Sequence, residues 1–464
     1  MKQLKYIIWV LLPLLLLNGC KDDSADNPVF GDDDLPHIYV NWQTNMAYKI
    51  GETIKISPIV SPSDGTEYKW TLNGAVISDE KDLSYELTEF LLAADLKFET
   101  TRNGVSSFRE AKLYTTQNFV PKDYAKKSIG FLTKNGTLDD IDWDNITHLV
   151  LSSALVEEDA SLDMSISAVF DIPTVRSLAH NFGVYLMLEV SGKIDYLNSV
   201  PMYDSLSFYN AAVTKADILI ENITDVVSEY GFDGVNIYMD KAVDAKYKDP
   251  EALYSFYDVI AKKIKANKNI IDGVEYDYIM SFSVLGGWTR TSLKDMIHIP
   301  EYDWINVLAI AAENLSPAPH SSLSFISQEV NIWLTGRGGY ENFTAIDSPE
   351  RVVLIVPAFG LRYFGIPRNY TWANLWQFTE YIGYRRLNQD YQNVPSSNVI
   401  VILENTNPSR EVDRIFYDGF ENITNKADSV IVKNLGGLGL WSIENDTKDP
   451  SSSLLQKMNI SLGN

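Results

Sequence analysis

The chain has 464 residues, 45% of them hydrophobic, which is enough for packed cores and, from length alone, for roughly three domains. Its formal net charge is -23, so its field repels phosphate backbones and anionic membranes, and nucleic-acid binding is disfavoured. Cys20 is the only cysteine, which excludes intramolecular disulfides, cysteine nucleophiles and cysteine metal sites together. With only 5 histidines and no ligand cluster, we expect no catalytic metal and no other cofactor.

Residues 1–20 have the pattern of a secretory signal peptide. Lys2 and Lys5 precede an apolar run, residues 6–17, that is too short to span a membrane comfortably. The run ends in Leu-Asn-Gly-Cys, which resembles a bacterial lipobox. The resemblance implies that Cys20 is acylated and becomes the first residue of the mature chain. The alternative is a buried thiol in an uncleaved helix, which the basic start and the small residues disfavour.

The segment after the cysteine, residues 21–36, is rich in Asp, Asn and Pro and has little to bury, so we expect a flexible tether. Lys21-Asp22-Asp23 is similar to the surface-export signal of Bacteroidetes outer-membrane lipoproteins. The alternative is an ordinary acidic linker. We therefore expect the protein to be attached to a bacterial outer membrane through its lipid alone and to face the cell exterior.

Residues 37–120 have the pattern of a small all-β sandwich. Short runs with alternating apolar residues are separated by turn sequences such as Asn73-Gly74 and Asn103-Gly104. With Trp70 near the centre, this spacing predicts an immunoglobulin-like sandwich, and the region resembles the PKD-type modules of surface lipoproteins. We expect a spacer, and glycan binding by this domain is the alternative. The predicted strands are His37–Asn41, Thr53–Ser57, Glu67–Leu72, Leu83–Leu87, Leu96–Thr100 and Ala111–Thr115.

Residues 124–464 alternate near-continuous apolar runs with helical patterns or long loops, which is typical of a parallel sheet covered on both faces. Eight such runs predict an α/β fold, a closed (β/α)8 TIM barrel. A doubly wound open sheet is the alternative, but no phosphate-binding glycine motif follows an early strand. A ninth run, Val399–Leu403, is assigned to an insertion between the last two strands. The eight runs are Ser128–Thr133, His148–Ala154, Val184–Val190, Gly234–Met239, Tyr278–Val284, Trp304–Ala309, Val352–Val356 and Gly437–Ser442.

The fourth run belongs to a stretch, residues 230–240, with two distinct faces. Gly231 can end the helix before it, and the alternation that follows has the period of a strand. The apolar face would pack under helices, whereas Asn236, Tyr238 and Asp240 would line the barrel interior. Asp240 would then lie at the carboxyl end of the strand, where barrel sites are found.

This stretch resembles the fourth-strand signature of family 18 glycoside hydrolases, Asp-Gly-x-Asp-x-Asp-x-Glu. Asp233 and Gly234 match the signature, and its later acidic positions hold Asn236, Tyr238 and Asp240. The resemblance thus implies that Asp233, Asn236, Tyr238 and Asp240 are the candidate catalytic positions. Further segments are similar to family motifs in order: Leu186–Gly192 on the third strand, Asn306–Ala311 on the sixth, Val356–Gly360 on the seventh and Gly436–Trp441 on the eighth. Together they indicate the family fold, which by itself does not establish activity.

Hydrolysis in family 18 is substrate-assisted, because the N-acetyl group of the sugar attacks its own anomeric carbon. The resemblance implies that Asp240 stands at the acid, Tyr238 at the aspartate that orients the acetamido group, and Ile310 at a hydrogen-bonding tyrosine. A displaced acid loses much of its usual contribution of about 10² to 10⁴, and lost charge stabilisation costs about 10² to 10³. We therefore expect impaired catalysis, with Asp240 making a polar contact to ligand or backbone. Retained acid catalysis and a purely structural role are the alternatives.

Relocated carboxylates would restore catalysis, since barrel sites draw on several strand ends. The candidates are Glu189 and Glu313, at the ends of the third and sixth strands, and Glu444 and Asp446 after the eighth. Glu189 opens the segment that stands where the family has Ser-x-Gly-Gly. We expect these four carboxyls to be solvated loop charges instead.

Sugar binding tolerates these changes better, because it needs aromatic faces and a few polar groups rather than tuned pKa values. The resemblance aligns Trp441 with the tryptophan that floors the family's sugar subsite. For every aromatic candidate the alternative is a packing role in the core. The further aromatic candidates are Trp288, Tyr363, Phe364, Trp372 and Trp376, and Glu189 and Glu313 are the polar candidates for contact with the ligand.

The sequence thus predicts a surface lipoprotein whose barrel binds glycans containing N-acetylglucosamine without hydrolysing them efficiently. The resemblance implies chitin-like oligosaccharides or the core of N-linked glycans as ligands, and an outer-membrane glycan transporter as a partner. The first alternative is an active endo-acting glycosidase, of the chitinase or endo-β-N-acetylglucosaminidase type, with Asp240 as its acid. The second is a protein-interaction scaffold on an inactive barrel.

Overall fold

The computed structural model describes residues 35–197, 200–204, 206–239, 249–285, 296–310, 318–319, 321–335, 346, 348–364, 377–404 and 407–464. The chain divides into two compact units that meet in sequence at Thr115 and Thr116. Several residues named above lie outside the described ranges: Cys20, Asp240, Trp288, Glu313, Trp372 and Trp376.

The first unit is built from β-strands, as the alternating runs predicted. They are β1 (His37–Tyr39), β2 (Asn45–Lys49), β3 (Thr53–Ile56), β4 (Ile59–Ser61), β5 (Glu67–Leu72), β6 (Ala75–Ser78), β7 (Leu83–Glu86), β8 (Ala94–Arg102) and β9 (Val105–Thr116). One sheet has the order β2-β9-β8-β5-β6, and β3–β7 and β1–β4 form antiparallel pairs. Asn73-Gly74 and Asn103-Gly104 have positive φ at both residues, which is the backbone that two-residue hairpin turns require.

The core of this unit confirms the central place of Trp70, which is fully buried. Its ring centroid lies 4.4 Å from that of Phe98, and its indole N–H donates to the carbonyl of Lys81 at 3.3 Å. Ile54 and Leu96 are buried in the same cluster. The unit therefore has a hydrophobic core of its own.

The second unit contains a closed barrel. Its strands are β10 (Lys127–Thr133), β11 (His148–Val156), β12 (Leu162–Asp163), β13 (Tyr185–Ser191), β14 (Lys193–Leu197), β15 (Val200–Asp204), β16 (Gly234–Tyr238), β17 (Lys268–Ile271), β18 (Val274–Asp277), β19 (Ile279–Leu285), β20 (Trp304–Leu308), β21 (Val352–Pro357), β22 (Phe359–Phe364), β23 (Gln377–Gly383), β24 (Val399–Glu404), β25 (Asn407–Phe416) and β26 (Gly437–Trp441). The order β10-β11-β13-β16-β19-β20-β21-β26 is parallel throughout and returns to β10. The predicted TIM barrel is confirmed, and each predicted run matches its strand to within two residues.

Helices of the second unit are α1 (Ile172–Asn181), α2 (Leu206–Thr214), α3 (Ala216–Tyr230), α4 (Pro250–Lys265), α5 (Leu323–Thr335), α6 (Tyr384–Asp390), α7 (Phe420–Val432) and α8 (Leu454–Leu462). α3 ends at Gly231, whose φ of 69° is the left-handed conformation that glycine adopts without strain. α4 begins after Asp249, whose carboxyl accepts from the N–H of Ala252 at 2.9 Å. Among the described residues, no helix is both long and apolar enough to cross a membrane.

An insertion separates the last two barrel strands, as the ninth apolar run predicted. Its strands β22 to β25 form an antiparallel sheet with the order β23-β22-β25-β24. The core of this sheet contains Phe359, Leu361, Tyr363 and Phe416, with Trp441 of the barrel packed against it. The insertion therefore joins the barrel at the carboxyl end of β26.

Candidate functional site

The candidate site lies inside the barrel toward the carboxyl ends of its strands, where the active sites of TIM barrels are found. The parallel register pairs Glu189 of β13 with Asn236 of β16, and Ser191 with Tyr238. Residues two positions apart on a strand face the same side and are separated by about 7 Å. Glu189 and Asn236 therefore form one layer, and Tyr238 lies in the next layer, closer to the mouth.

Asn236 is the centre of a buried hydrogen-bond network. Its Nδ2 donates to Oε2 of Glu189 and to Oγ of Ser283, both at 2.9 Å. Its Oδ1 accepts from the hydroxyl of Ser281 at 2.9 Å and from Nδ2 of Asn306 at 3.0 Å. These contacts satisfy both donors and both lone pairs of the amide. Asn236 thus links four neighbouring strands without contributing a charge.

Glu189 supplies the carboxyl group of this layer and is only 1% exposed. Its Oε1 accepts from the hydroxyl of Ser152 at 2.5 Å, and Oε2 accepts from Asn236. Burial raises the pKa of Glu189 to about 7, although these two hydrogen bonds oppose the rise. The expectation of a solvated loop charge is therefore wrong. Because Glu189 lies a layer below Tyr238, it is not placed to act on a ligand at the mouth.

Tyr238 fills the barrel directly above the polar layer. Its side chain is 3% exposed and belongs to an apolar cluster that includes Phe131, Trp304 and Leu308. An ionised carboxylate at this position would be buried among apolar groups at considerable cost. The cluster therefore suits a phenol at the end of β16.

Trp441 lies at the end of β26 and is half-buried. It packs against the barrel cluster and against the insertion core, and its ring lies edge-on to Phe359 with centroids 6.1 Å apart. Ile310, at the end of the sixth barrel strand, is packed against the same insertion core. Part of the indole remains exposed at the carboxyl end of the barrel, where an aromatic face can contact a ligand.

Two carboxyl groups after β26 are also less exposed than the sequence suggested. Glu444 accepts from the hydroxyl of Thr133 at 2.5 Å, and burial raises its pKa. Asp446 accepts from the N–H groups of Leu454 at 3.0 Å and Leu455 at 2.8 Å, and burial raises its pKa to about 6. Asp446 therefore caps α8, whereas Glu444 lies beside the carboxyl end of β10.

Asp233 lies at the opposite, amino-terminal end of β16. Its carboxyl oxygens accept from the N–H of Leu186 at 2.7 Å and from Nδ2 of Asn269 at 2.8 Å, and Nε2 of His180 lies 2.9 Å away. The residue is 1% exposed. These contacts join α1, β13, β16 and β17, so Asp233 is placed to hold the barrel together rather than to meet a ligand.

Tyr363 was predicted to stack against a sugar, and this prediction is wrong. The side chain is fully buried in the insertion core and lies edge-on to Phe416, with ring centroids 6.1 Å apart. A ligand has no access to its face. Phe364 ends β22, and its side chain lies outside the described part of the structure.

The sequence interpretation missed the polar partners of Asn236. Ser281 and Ser283 lie two positions apart in an otherwise apolar strand, which is the spacing of one strand face. Asn306 also accepts from the indole N–H of Trp304 at 3.0 Å. Polar residues recurring at alternate positions of apolar runs were the available signal. The described residues contain no group of three or more His, Cys, Asp or Glu side chains suited to a metal ion.

The closed barrel, its polar interior layer and the half-buried Trp441 at the carboxyl end of its strands define a TIM-barrel protein. The family model for glycosyl hydrolases family 18 matches residues 122–446, and that for a PKD-like domain matches residues 36–90. The chain belongs to glycoside hydrolase family 18, and its N-terminal unit is PKD-like.

Solved structures with the same fold include both enzymes and a lectin. A chitinase from Bacteroides thetaiotaomicron is 18% identical with a TM-score of 0.52, and the match covers 73% of this chain and 96% of that one. A class V chitinase from Nicotiana tobaccum is 16% identical with a TM-score of 0.55, covering 75% and 99%. The chitinase-like agglutinin of Robinia pseudoacacia is 17% identical with a TM-score of 0.52, covering 72% and 99%. No curated protein sequence matches the chain.

Proposed function

We propose that this protein is a cell-surface lipoprotein whose family 18 barrel binds glycans containing N-acetylglucosamine without hydrolysing them efficiently. The observation that carries the proposal is the lining of the barrel below its mouth. Asn236 is an amide with satisfied hydrogen bonds, and Tyr238 is packed in an apolar cluster, at positions where the family signature has aspartates. Neither residue supplies the negative charge that the substrate-assisted reaction requires.

The expected loss of rate is large. Removing charge stabilisation beside a developing cation costs about 10² to 10³, and an aspartate acid at position 240 reaches one methylene less far than glutamate. Ile310 donates no hydrogen bond to an acetamido group. Since these changes act on the same transition state, little catalysis by the family route would remain.

Binding is retained more easily. The half-exposed indole of Trp441 offers an aromatic face at the mouth, and stacking does not depend on a tuned pKa. Among the similar folds, one is described as a chitinase-like agglutinin and others as chitinases, which supports a chitin-like oligosaccharide as the ligand. The core of an N-linked glycan is the second ligand in this proposal, because it also contains N-acetylglucosamine. A lipid at Cys20 and a glycan transporter in the outer membrane are part of the same proposal, and the Leu-Asn-Gly-Cys sequence supports the lipid.

One observation favours a second candidate function, an active endo-acting glycosidase. Glu444 is half-buried beside the end of β10, and burial raises its pKa, which is the behaviour of a general acid. Asp240, at the acid position of the family signature, would be the second carboxyl of this alternative. Against this alternative, Glu444 accepts a hydrogen bond from Thr133, which gives its carboxyl a structural role that requires no catalysis.

Calorimetric titration of residues 21–464 with the tetramer of N-acetylglucosamine tests the binding proposal. Trp441→Ala is expected to weaken the barrel interaction at least about tenfold, or about 1.4 kcal/mol, because the stacking face is lost. Asp240→Ala is expected to change affinity only a few-fold. Phe359→Leu is the matched control, since it alters the packing beside Trp441 but keeps the indole. Equal affinity of the wild type and Trp441→Ala would contradict the proposal.

A further inference from the structure

A pocket of about 460 Å³ lies in the PKD-like unit, and none of the residues of the barrel site lines it. Its volume falls in the range of small-molecule sites. Every described residue that lines it belongs to residues 40–57, which include the loop between β1 and β2. Apolar residues (Val40, Met46, Ala47 and Ile56) line the pocket together with aromatic and polar ones, which are Asn41, Trp42, Gln43, Tyr48, Lys55 and Ser57.

The sheet topology explains why a pocket forms there. β2 is the edge strand of the five-stranded sheet, and β3 pairs with β7 in a separate sheet. The two strands follow each other along the chain but belong to different sheets, so their side chains border an opening rather than a continuous ladder. The pocket is thus formed by β2, by the end of β3 and by the short loop before β2, which contributes Asn41, Trp42 and Gln43.

The aromatic residues of the pocket are held by the core beneath them. Trp42 lies edge-on to the buried Trp70, with ring centroids 5.8 Å apart, and Trp70 is fixed in turn by Phe98. Trp42 and Tyr48 are both half-buried against the hydrophobic cluster. Each ring therefore has one part packed and another part open, which lowers the entropy cost of stacking against a ligand.

The polar residues of the pocket are available to a ligand. Asn41, Gln43 and Ser57 are exposed, and among the described residues no protein group is hydrogen-bonded to their side chains. Lys55 is the one positive charge among the lining residues that the structure describes. Two amides and a hydroxyl supply both donors and acceptors, which matches the alternating hydroxyl and amide groups of a neutral sugar.

We propose that this pocket is a second saccharide site, which takes a short neutral oligosaccharide by stacking on Trp42 and Tyr48 and by hydrogen bonds to Asn41, Gln43 and Ser57. A neutral ligand is favoured over a polyanion, because Lys55 is the one charged side chain among the described lining residues and a polyanion would need several cations. A long apolar ligand does not fit, because exposed polar side chains line the pocket. The choice of an N-acetylglucosamine oligomer as the probe rests on the proposed function of the barrel.

Two-site titration of residues 21–464 with the N-acetylglucosamine tetramer tests this site. The wild type is expected to bind two equivalents. Trp42→Ala is expected to weaken one of them at least tenfold and to leave the other unchanged. Trp42 also packs on Trp70, so Trp42→Ala could weaken binding by disturbing the core. The double variant Asn41→Ala/Gln43→Ala controls for this, because both side chains are exposed and their removal leaves the core packed. It is expected to weaken the same binding equivalent as Trp42→Ala.

The barrel variant separates this inference from the proposed function. If Trp441→Ala retains one equivalent that Trp42→Ala removes, the pocket binds saccharide whatever the barrel does. If the Trp441→Ala protein binds nothing, or if Trp42→Ala and the double variant both keep the wild-type stoichiometry, the second site is overturned. Absence of binding by the wild type would overturn both proposals.

Discussion

The two ends of β16 both carry buried polar residues, but those at the amino end hold the barrel together and those toward the carboxyl end occupy altered positions of the family signature. At the amino end, Asp233 accepts hydrogen bonds from neighbouring elements, and Gly234 follows it. A Cβ at Gly234 would meet the carbonyl oxygen of Ile279 at 2.4 Å, so the strand spacing requires glycine there. Toward the carboxyl end, Asn236 and Tyr238 replace the aspartates of the family signature.

The difference separates the part of the signature that builds the barrel from the part that performs chemistry. Residues that match the family lie where their loss would disrupt strand packing. Asn236 and Tyr238, which depart from it, lie in the interior layers below the mouth, where the amide of Asn236 is fully hydrogen-bonded and the ring of Tyr238 packs in an apolar cluster. A barrel of this family is therefore maintained while its carboxylates are rearranged.

The largest expected effect is at the amino end. Asp233→Ala removes the acceptor of the Leu186 N–H and of Asn269, leaving buried donors without partners. We expect the free energy of unfolding to fall by about 3 to 5 kcal/mol, measured by urea denaturation. Asp233→Asn, which keeps one acceptor oxygen, should lose less. If Asp233→Ala lowers the free energy of unfolding by less than about 1 kcal/mol, Asp233 does not hold the barrel together, and the proposed difference between the two ends of β16 is contradicted.

The pH dependence of stability tests the carboxyl of the polar layer. The pKa of Glu189 is about 7 in the folded protein, above its ordinary value of 4.5, so the folded state binds the proton more tightly. Its stabilising effect is present below about pH 4.5 and is lost as the pH rises to about 7. At about 1.4 kcal/mol per pH unit, the loss amounts to about 3 kcal/mol.

Glu189→Gln isolates this contribution from that of Asp446, whose raised pKa acts in the same direction. The free energy of unfolding of the wild type minus that of the variant should fall by about 3 kcal/mol between pH 4.5 and 8. Denaturation curves at several pH values measure it. Parallel pH profiles for the two proteins would show that Glu189 is not held as a neutral acid.

A smaller effect is expected from reversing one substitution. Asn236→Asp replaces the donor to Glu189 by a second carboxyl, at a contact distance of 2.9 Å, and should cost about 2 kcal/mol at pH 8. Adding Glu189→Ser places the carboxyl on the fourth strand and serine on the third, as in the family motifs. In the Glu189→Ser background, Asn236→Asp should lower the free energy of unfolding by at least about 1 kcal/mol less than it does in the wild type. A double-mutant cycle measures this difference. Additive effects would show that the two positions are not coupled.

The fold followed from the sequence because each barrel strand is a continuous apolar run between helical patterns. Even the insertion was predictable, since Val399–Leu403 did not fit an eightfold count and lies in its separate sheet. Asn73-Gly74 and Asn103-Gly104 likewise marked real hairpins, because only a few residues adopt that backbone easily.

The candidate site was only partly predictable. The interior face of β16 was assigned correctly from its alternation, but the environment of Glu189 depends on Ser152 and Asn236, which are far from it in sequence. A carboxyl near a strand end is usually solvated, and only the barrel register shows that this one is buried. The same reason applies to Tyr363, whose burial is set by the pairing of β22 with β25.

Mass spectrometry of N-acetylglucosamine oligomers and N-glycoproteins, after overnight incubation with micromolar protein (residues 21–464), measures directly whether the barrel hydrolyses its ligands. Asp240→Ala and Glu444→Gln serve as controls for the two carboxyls that the hydrolase alternative would use. We expect intact glycans with all three proteins. Cleavage by the wild type that is lost in either variant would contradict this expectation and identify a working glycosidase with that residue as its acid.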